Sequence, residues 1–259
     1  MSPPSSWFTE GHMRQAIQVG KVISLSHPKP SKWRILEVLG EHDWQKYETA
    51  RYPSYVAVQL SCIEVGGSGR RSMMRIVMQV PYLGTEDKDK DSATRAKQAT
   101  KFRSAEFRAF LTFEKQHSTC TPPLLGYLED QQDRFGPVPG GFITYYAWEA
   151  VPGIRLGDYT GKAPQFWTLD KKEREEIRVA FRQIYFEITS MGIWPDSAAA
   201  ANLVWNSETK SLTWVGFWNC RAAQPQPWKD WLLPRFDFVK SDKSWTDPDW
   251  NGDTSKWEY

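Results

Sequence analysis

Alternating apolar and polar residues predict the strands in the first half of the chain. Residues 55–65 and 73–80 carry β-branched and other apolar side chains at alternate positions, which is typical of half-buried strands. The Gly-Gly-Ser-Gly segment at 66–69 supplies a turn between them. We therefore expect a hairpin with Arg70 and Arg71 at its tip.

Two further strands and one helix complete this region. Residues 121–128 and 141–149 predict strands on either side of a loop rich in Gly and Pro at 136–141. Residues 104–114 predict a helix, because the aromatic residues in this segment recur along one side.

The clearest helix covers residues 171–191. Apolar residues recur there at helical spacing, at Ile177, Phe181, Ile184, Tyr185 and Ile188. Asp170 and Glu173 form a capping-box variant with Asp in the place of Ser or Thr. Two short strands, one near 202–206 and one within 211–218, are expected beyond this helix.

These patterns divide the chain into four parts and predict an α+β fold. A Gly- and Pro-containing segment at 151–156 follows the last strand of the β-rich region and predicts a hinge. The parts are an irregular N-terminal lead-in at 1–31, a β-rich region with one helix at 32–150, a reduced helical region at 151–223, and a tail rich in Trp and Pro at 224–259.

Composition argues against several classes of function. Basic and acidic residues nearly balance, 33 against 31, so a strong bulk attraction to nucleic acid or membranes is not expected. The three cysteines and four histidines are scattered, which indicates neither a disulfide scaffold nor a metal site. No cofactor is expected. Without a secretory signal or a long apolar run, we expect a cytoplasmic protein with no membrane contact.

Two segments have more than one interpretation. Residues 84–101 are highly charged and predict a solvated loop; the alternative is a flexible element that contacts a phosphate backbone. Six of the 14 tryptophans lie in the last 42 residues. They are interpreted either as ordinary packing residues or as a surface on which bases, an aromatic small molecule or a protein partner docks.

The order of elements resembles the core of a protein kinase, and more closely the small kinase-like proteins of filamentous fungi. The resemblance covers about residues 50–223. It implies a kinase-like fold of two lobes with a truncated C-terminal lobe, since only 42 residues follow Phe217. The segments that carry it are 102–110, 142–149, 151–156, 166–169, 192–193, 202–205 and 214–217.

The same resemblance allows each kinase role to be checked. Phosphoryl transfer needs a Lys on the phosphates, a helix Glu that pairs with it, a catalytic Asp, an Asn and a metal-binding Asp. Here Gln79 stands in the place of the Lys, while Glu106 and Asn202 match the Glu and the Asn. The catalytic Asp position falls on Ser197, one residue after Asp196, and the metal-binding Asp position falls on Gly216. Ordinary Mg-ATP phosphoryl transfer is therefore not expected.

Two functions from different classes remain open. In size and general type the chain resembles the fungal arginine-containing cyclodipeptide synthases, which would imply a kinase-like cleft reused for aminoacyl transfer from charged tRNA. The candidate catalytic residues are then Glu106, Asp196 and Ser197, and the candidate substrate-binding residues are Gln79, Glu149, Asn202 and Trp218. The alternative is a non-catalytic pseudokinase that binds a protein partner through its Trp-rich tail.

A tRNA-dependent enzyme also needs contacts to a phosphate backbone. The candidate residues are Arg70, Arg71, Arg75, Arg95, Lys97, Lys101 and Arg103. For each of these groups an ordinary structural role is the competing interpretation. Glu106 would pair with Arg75 or Arg103, Ser197 would cap a turn, and the basic residues would be solvated surface.

Overall fold

A computed structural model describes residues 6–8, 17–86, 92–197, 199–242 and 244–259. Its helices are α1 Ser92–Ala96, α2 Ala105–Lys115, α3 Pro164–Thr168, α4 Lys171–Ser190 and α5 Leu232–Arg235. Its strands are β1 Val22–Leu25, β2 Ser31–Trp44, β3 Tyr55–Glu64, β4 Arg71–Gln79, β5 Leu124–Gln131, β6 Phe142–Glu149, β7 Ile154–Arg155, β8 Ile193–Pro195, β9 Leu203–Asn206, β10 Ser211–Trp214 and β11 Cys220–Ala222. The mixed helix-and-strand fold predicted from the sequence is confirmed.

The chain forms two compact units. The first consists of residues 1–104 and 124–150, and the second of residues 105–123 and 151–259. One break between the two units falls after residue 150. However, α2 belongs to the second unit, whereas the sequence pattern assigned it to the β-rich region.

The first unit is built on one antiparallel sheet in the order β1-β2-β3-β4-β6-β5. The predicted hairpin of β3 and β4 is confirmed, with Tyr55 opposite Gln79 and Ile63 opposite Arg71. The two outer strands are also joined, because the His27 and Tyr127 backbones exchange hydrogen bonds of 2.9 and 3.0 Å. Their rings stack at 4.9 Å.

The concave side of this sheet holds the apolar core of the first unit. The core is formed by alternate residues of the strands, including Trp33, Ile35, Val56 and Met74. Gly126 permits the sheet to close, since a Cβ there would lie 2.9 Å from the carbonyl oxygen of His27. The close approach of the His27 segment to Gly126 thus joins the two outer strands around the apolar core.

Two predictions for the first unit need correction. The N-terminal lead-in is not wholly irregular: β1 lies within it, and Trp7, Phe8 and Ile17 are buried in the core. The charged segment at 84–101 is not all loop, because α1 forms within it. Residues 1–5, 9–16 and 87–91 of these two predictions lie outside the described residues.

The second unit is organised by α4, whose predicted apolar face is confirmed. Ile177, Phe181 and Ile188 are fully buried. Asp170 caps the helix by accepting a hydrogen bond from the Glu173 amide at 2.8 Å. In a full capping box the Glu173 carboxylate would accept from the backbone amide of the capping residue. Here it accepts from the Trp205 indole instead, at 2.8 Å.

Residues 224–259 pack within the second unit, whereas the sequence pattern set them apart as a tail. Arg178 of α4 is only 6% exposed, and its Nε donates to the carbonyl oxygen of Phe238 at 3.0 Å. Its guanidinium also lies over the Tyr259 ring at 5.3 Å. Leu232, Phe236 and Trp257 are buried as well. This segment is therefore part of the core.

Glu187, near the end of α4, fixes the loop that follows α2. Its carboxylate accepts from the Thr119 amide at 2.8 Å, the Ser118 hydroxyl at 3.0 Å, the Thr119 hydroxyl at 3.1 Å and the Cys120 amide at 3.3 Å. Partial burial opposes ionisation, but these hydrogen bonds outweigh it and hold the pKa of Glu187 below its usual range.

We expect Glu187→Gln to reduce the free energy of unfolding in a pH-dependent way. Folding lowers the pKa of Glu187, so the ionised carboxylate stabilises the folded protein. This stabilisation is fully present above the pKa of the unfolded state, about 4.3 for a glutamate. It is lost as the pH falls through the pKa of the folded state. Urea unfolding of both proteins from about pH 7 to about pH 3 should show their difference shrinking with acidification.

Glu114→Gln is the matched control, because Glu114 is exposed on α2. It should unfold like the wild-type protein across the same range. A difference between wild type and Glu187→Gln that stays constant with pH would contradict the role assigned to this carboxylate.

Candidate functional site

Backbone pairing in the second unit gathers the residues expected in a catalytic loop. Strands β8 and β11 pair with Pro195 opposite Cys220 and Trp194 opposite Arg221. The pairing continues beyond the strands, because the Asp196 and Ser197 amides donate to the carbonyl oxygen of Asn219 at 2.8 and 3.4 Å. Asp196 and Ser197 thus lie beside the residues just before β11.

Asn202 is held in place by hydrogen bonds of both its side chain and its backbone. Its side-chain amide donates to the carbonyl oxygen of Ser197 at 2.8 Å. Its own carbonyl oxygen accepts from the Val215 amide, also at 2.8 Å. The amide side chain predicted as a substrate contact therefore closes the loop of which it is part.

Gly216 lies directly against this asparagine. A Cβ at position 216 would be 2.1 Å from the Asn202 Cγ and 2.2 Å from its Oδ1. The Asn202 side chain thus fills the space through which any side chain at 216 would leave the backbone. An aspartate at this position, as metal-ion chemistry of the kinase type requires, does not fit the present arrangement.

Asp196 and Ser197 have local partners. The Asp196 carboxylate is paired with the Arg221 Nε at 3.0 Å, and both side chains are largely exposed. The Ser197 hydroxyl accepts from the Asn219 amide Nδ2 at 3.1 Å. An amide cannot remove the hydroxyl proton, so this contact does not activate Ser197 as a nucleophile.

Glu106 is 2% exposed and lies in the first turn of α2. That helix packs on the segment after β10, with the Phe113 and Phe217 rings 4.6 Å apart. Burial raises the pKa of the Cys220 thiol to about 12, and the charges of Glu106 and Asp196 act in the same direction. Cys220 is therefore a protonated, weakly reactive thiol beside negative charge.

The structure assigns Gln79 an internal role in place of the predicted substrate contact. Its side chain is 1% exposed. The amide Nε2 donates to the carbonyl oxygen of Gln98 at 2.7 Å, and Oε1 accepts from the Thr100 amide at 3.2 Å. Gln79 thus ties the segment after α1 to the end of β4. A lysine could donate to Gln98 but could not accept from Thr100.

The predicted phosphate contacts do not form one patch. Arg70 and Arg71 lie at the start of β4, whereas Lys97 and Lys101 flank the segment held by Gln79 at its other end. A strand rises about 3.3 Å per residue, so the two groups are separated by roughly 26 Å along β4.

Three of the arginines in that set have other roles. Arg75 is 5% exposed, with its guanidinium 3.2 Å from the Gln59 side chain, so it is not a surface contact. Arg103 forms a bidentate ion pair with Glu129, with hydrogen bonds of 2.6 and 2.7 Å. Arg95 donates to the carbonyl oxygen of Pro137 at 3.0 Å.

Two candidates remain, one at the end of a strand and one in the connection between β10 and β11. Glu149 is the last residue of β6, half-buried and opposite Ser72 of the first unit. Trp218 is half-buried and follows the fully buried Phe217 in the second unit.

Sequence reasoning missed Asn219, Cys220 and Arg221, which surround Asp196 and Ser197. They carry no motif, and their position becomes clear only through the pairing of β8 with β11. Among the described residues, no group of His, Cys, Asp or Glu is arranged to hold a metal ion. In the same part of the chain, no helix has the length and apolar character needed to cross a membrane.

Comparison with known proteins shows distant similarity in structure only. No protein-family model matches the sequence, and no curated protein matches it. Among solved structures, the chain is similar to the kinase PK-1 of Cydia pomonella granulovirus, with a TM-score of 0.45 and 14% sequence identity. The match covers 76% of this chain and 55% of the viral chain, so this chain spans about half of that kinase. The similarity assigns neither an activity nor a substrate.

We expect Gly216→Ala to lower the free energy of unfolding by about 1–3 kcal/mol, the usual cost of forcing an extra methyl group into packed space. Combining it with Asn202→Ala should cost less than the sum of the two single changes, because the clashes with Cγ and Oδ1 are removed and only the contact with the Cβ at position 202, at 2.7 Å, remains. Urea unfolding of the single and double variants measures this coupling.

Gly40→Ala is the control, since a Cβ at Gly40 would meet no atom within 4 Å. It should be tolerated. Additive costs in the double variant would show that Asn202 and Gly216 do not constrain each other.

Proposed function

We propose that this protein is a kinase-like domain that does not transfer phosphoryl groups from Mg-ATP. The observation that carries the proposal is the contact of Asn202 with Gly216, which occupies the space of a metal-binding carboxylate. Phosphoryl transfer of the kinase type depends on metal ions that bridge the phosphates and neutralise the developing charge. Without that carboxylate, the Asn alone is a weak metal ligand.

The other kinase positions support the same proposal. Gln79, in the place of the phosphate-binding lysine, is neutral and uses its amide to fix Gln98 and Thr100. Asp196, the carboxylate nearest to the catalytic position, is already paired with Arg221. The roles that phosphoryl transfer assigns to the lysine and to the two aspartates are therefore vacant or differently employed, while Glu106 retains the position of the helix glutamate.

For the chemistry that replaces it, we infer an aminoacyl-tRNA-dependent synthase of arginine-containing cyclic dipeptides. The supporting feature is the buried Glu106 carboxylate beside Cys220, since a buried carboxylate can hold a guanidinium through two charge-assisted hydrogen bonds. Arg70, Arg71, Lys97 and Lys101 are exposed and are the remaining candidates for contacts to the tRNA backbone.

A second candidate function is a non-catalytic binding module. It is favoured by the surroundings of Ser197, whose hydroxyl is bonded to an amide rather than to a base. A nucleophile without a base or a lowered pKa is a poor catalyst. In this case the second unit would serve to present a surface to a partner.

The first test concerns the metal. We expect ATP with Mg²⁺ to raise the melting temperature no more than ATP with EDTA, because Gly216 offers no carboxylate to the ion. Differential scanning fluorimetry at several nucleotide concentrations measures both conditions. An additional stabilisation that requires Mg²⁺ would contradict the absence of kinase-type metal binding.

The second test concerns the replacement chemistry. Expression in a bacterial host, followed by mass spectrometry of the medium, should reveal a new arginine-containing cyclic dipeptide. Glu106→Gln should abolish the product, because an amide cannot pair with a guanidinium as a carboxylate does. Glu114→Gln, an exposed change on the same helix, should leave it intact. A folded, soluble protein that gives no product would exclude the synthase and leave the binding module.

A further inference from the structure

Exposed aromatic side chains of the first unit gather at the connection between β2 and β3. Trp44 ends β2 and is 38% exposed, and Tyr47 and Tyr52 in the connection are 69% and 56% exposed. Large apolar side chains that share one exposed surface often mark a binding site, because leaving them in water is unfavourable. The neighbouring groups indicate the chemistry of the partner.

Four of the rings in this region form a continuous row. Trp44 and Tyr55 lie directly opposite each other on β2 and β3, with ring centroids 6.3 Å apart and planes 3° from parallel. The Phe102 ring lies 5.3 Å from that of Tyr55, and Tyr52 approaches Phe102 edge-on at 6.5 Å. These contacts hold the rings in a fixed arrangement. The four side chains are called the aromatic row.

Basic side chains accompany the aromatic row. The Lys46 Nζ lies 5.5 Å from the centre of the Trp44 ring, and the Arg51 guanidinium lies 5.7 Å from the centre of the Tyr52 ring. Both basic residues are exposed, and neither is paired with a carboxylate of the residues that the structure describes. Lys101, which lies next to the row in sequence, is exposed as well.

The acidic side chains nearby oppose these cations only weakly. Asp43 alternates to the core face of the sheet, where it lies opposite Val56. Glu86 accepts hydrogen bonds from the Gln45 side chain and from a backbone amide, both at 2.8 Å. Glu48 is the one acidic residue in the connection between β2 and β3. The surface is therefore positive and favours an anionic partner.

Hydrogen bonds hold the two ends of this connection together. Ser54 is 1% exposed, and its hydroxyl accepts from the Lys46 amide at 2.8 Å and donates to the Lys46 carbonyl oxygen at 3.0 Å. The same carbonyl accepts from the Leu83 amide at 2.9 Å. The Gln45 side chain donates to the carbonyl oxygen of Pro81 at 2.9 Å. A surface fixed in this way loses less conformational entropy when it binds a partner.

We propose that the aromatic row binds single-stranded RNA. Unpaired bases stack on Trp44 and Tyr52, and the phosphates between them pair with Lys46, Arg51 and Lys101. An acidic peptide would satisfy the cations but not the ring faces. A duplex hides the faces of its bases, and a single nucleotide covers only part of a row of four rings. An unpaired polynucleotide satisfies both the rings and the cations.

The choice of RNA over DNA rests on the proposed function, in which the substrate is charged tRNA, a molecule with unpaired bases in its loops and at its end. The stacking surface itself uses no residue of the Glu106 site. If a cyclic dipeptide forms but the aromatic row binds no RNA, this inference alone fails. If RNA binds and no dipeptide forms, the synthase alone fails.

The test is the binding of a fluorescein-labelled oligouridylate of about 12 nucleotides to the full chain, followed by fluorescence anisotropy. We expect saturable binding that weakens roughly twentyfold between about 50 and about 200 mM salt, since three phosphate contacts to a single strand give a slope of about −2 in log K against log salt. A duplex RNA of the same length should bind at least about tenfold more weakly, because its bases cannot stack on the rings.

Three results would overturn the proposal. They are the absence of oligouridylate binding, equal binding of the single strand and the duplex, and tighter binding of an oligothymidylate of the same length. Free UMP at an equal nucleotide concentration should not displace the oligouridylate, and efficient displacement would likewise contradict a surface that extends over several bases.

Variants test whether the contact is a stacking contact. Trp44→Ala and Tyr52→Ala should each weaken oligouridylate binding by about fivefold or more, as expected when one stacking ring is removed. Trp44→Phe should retain most of the affinity because it keeps a ring face, whereas Trp44→Leu should not. Lys46→Gln should reduce the salt slope by about 0.7. Equal losses in Trp44→Phe and Trp44→Leu would overturn the assignment to bases.

Tyr159→Ala is the control, because it removes an exposed aromatic ring of the second unit. It should bind the oligouridylate like the wild type, and a loss equal to that of Tyr52→Ala would overturn the assignment to the aromatic row. Circular dichroism reports whether each variant folds. If Trp44→Ala does not fold, Tyr52→Ala decides the question, since the Tyr52 side chain is mostly exposed.

Discussion

The second unit depends on the contact of α4 with the segments that follow it. The Phe181 ring lies within 4.6 to 5.9 Å of Trp214, Trp228, Phe236 and Phe238. Large aromatic side chains bury much apolar area at little conformational cost, so one such cluster can hold several short elements together. The same helix carries Arg178 and Glu187, whose polar groups satisfy the backbone of the neighbouring loops.

This use of buried polar groups explains why several expected functional residues have structural roles. Gln79, Asn202 and Glu187 each bond to backbone atoms of a segment without regular structure. A loop that passes through the interior must have its backbone groups paired, and short amide or carboxylate side chains do this well. These side chains thus stabilise the segments to which they bond.

The polar residues of the second unit remain the best candidate site. Glu106, Asp196 and Cys220 lie close enough for both carboxylates to act on the thiol, while Ser197 and Asn202 are fixed beside them. In this cluster the contact of Asn202 with Gly216 leaves no space for a side chain at position 216.

Elements whose signal is local could be predicted from the sequence. The 3.6-residue period located α4 and its cap at Asp170, and the two-residue period located β3, β4 and β6. It also identified the absence of a carboxylate at Gly216, since a missing side chain needs no structure to be noticed.

The contacts that these residues make become clear only from the fold. Arg75 and Lys97 are both basic residues in the sequence, yet the Arg75 side chain is buried and Lys97 is exposed to solvent. The neighbours of Asp196 come from the pairing of two strands that are far apart in the chain. Of the tryptophans after position 223, packing buries Trp257 and leaves the other four along an open groove. Such contacts depend on how distant segments meet, and local periodicity does not encode that.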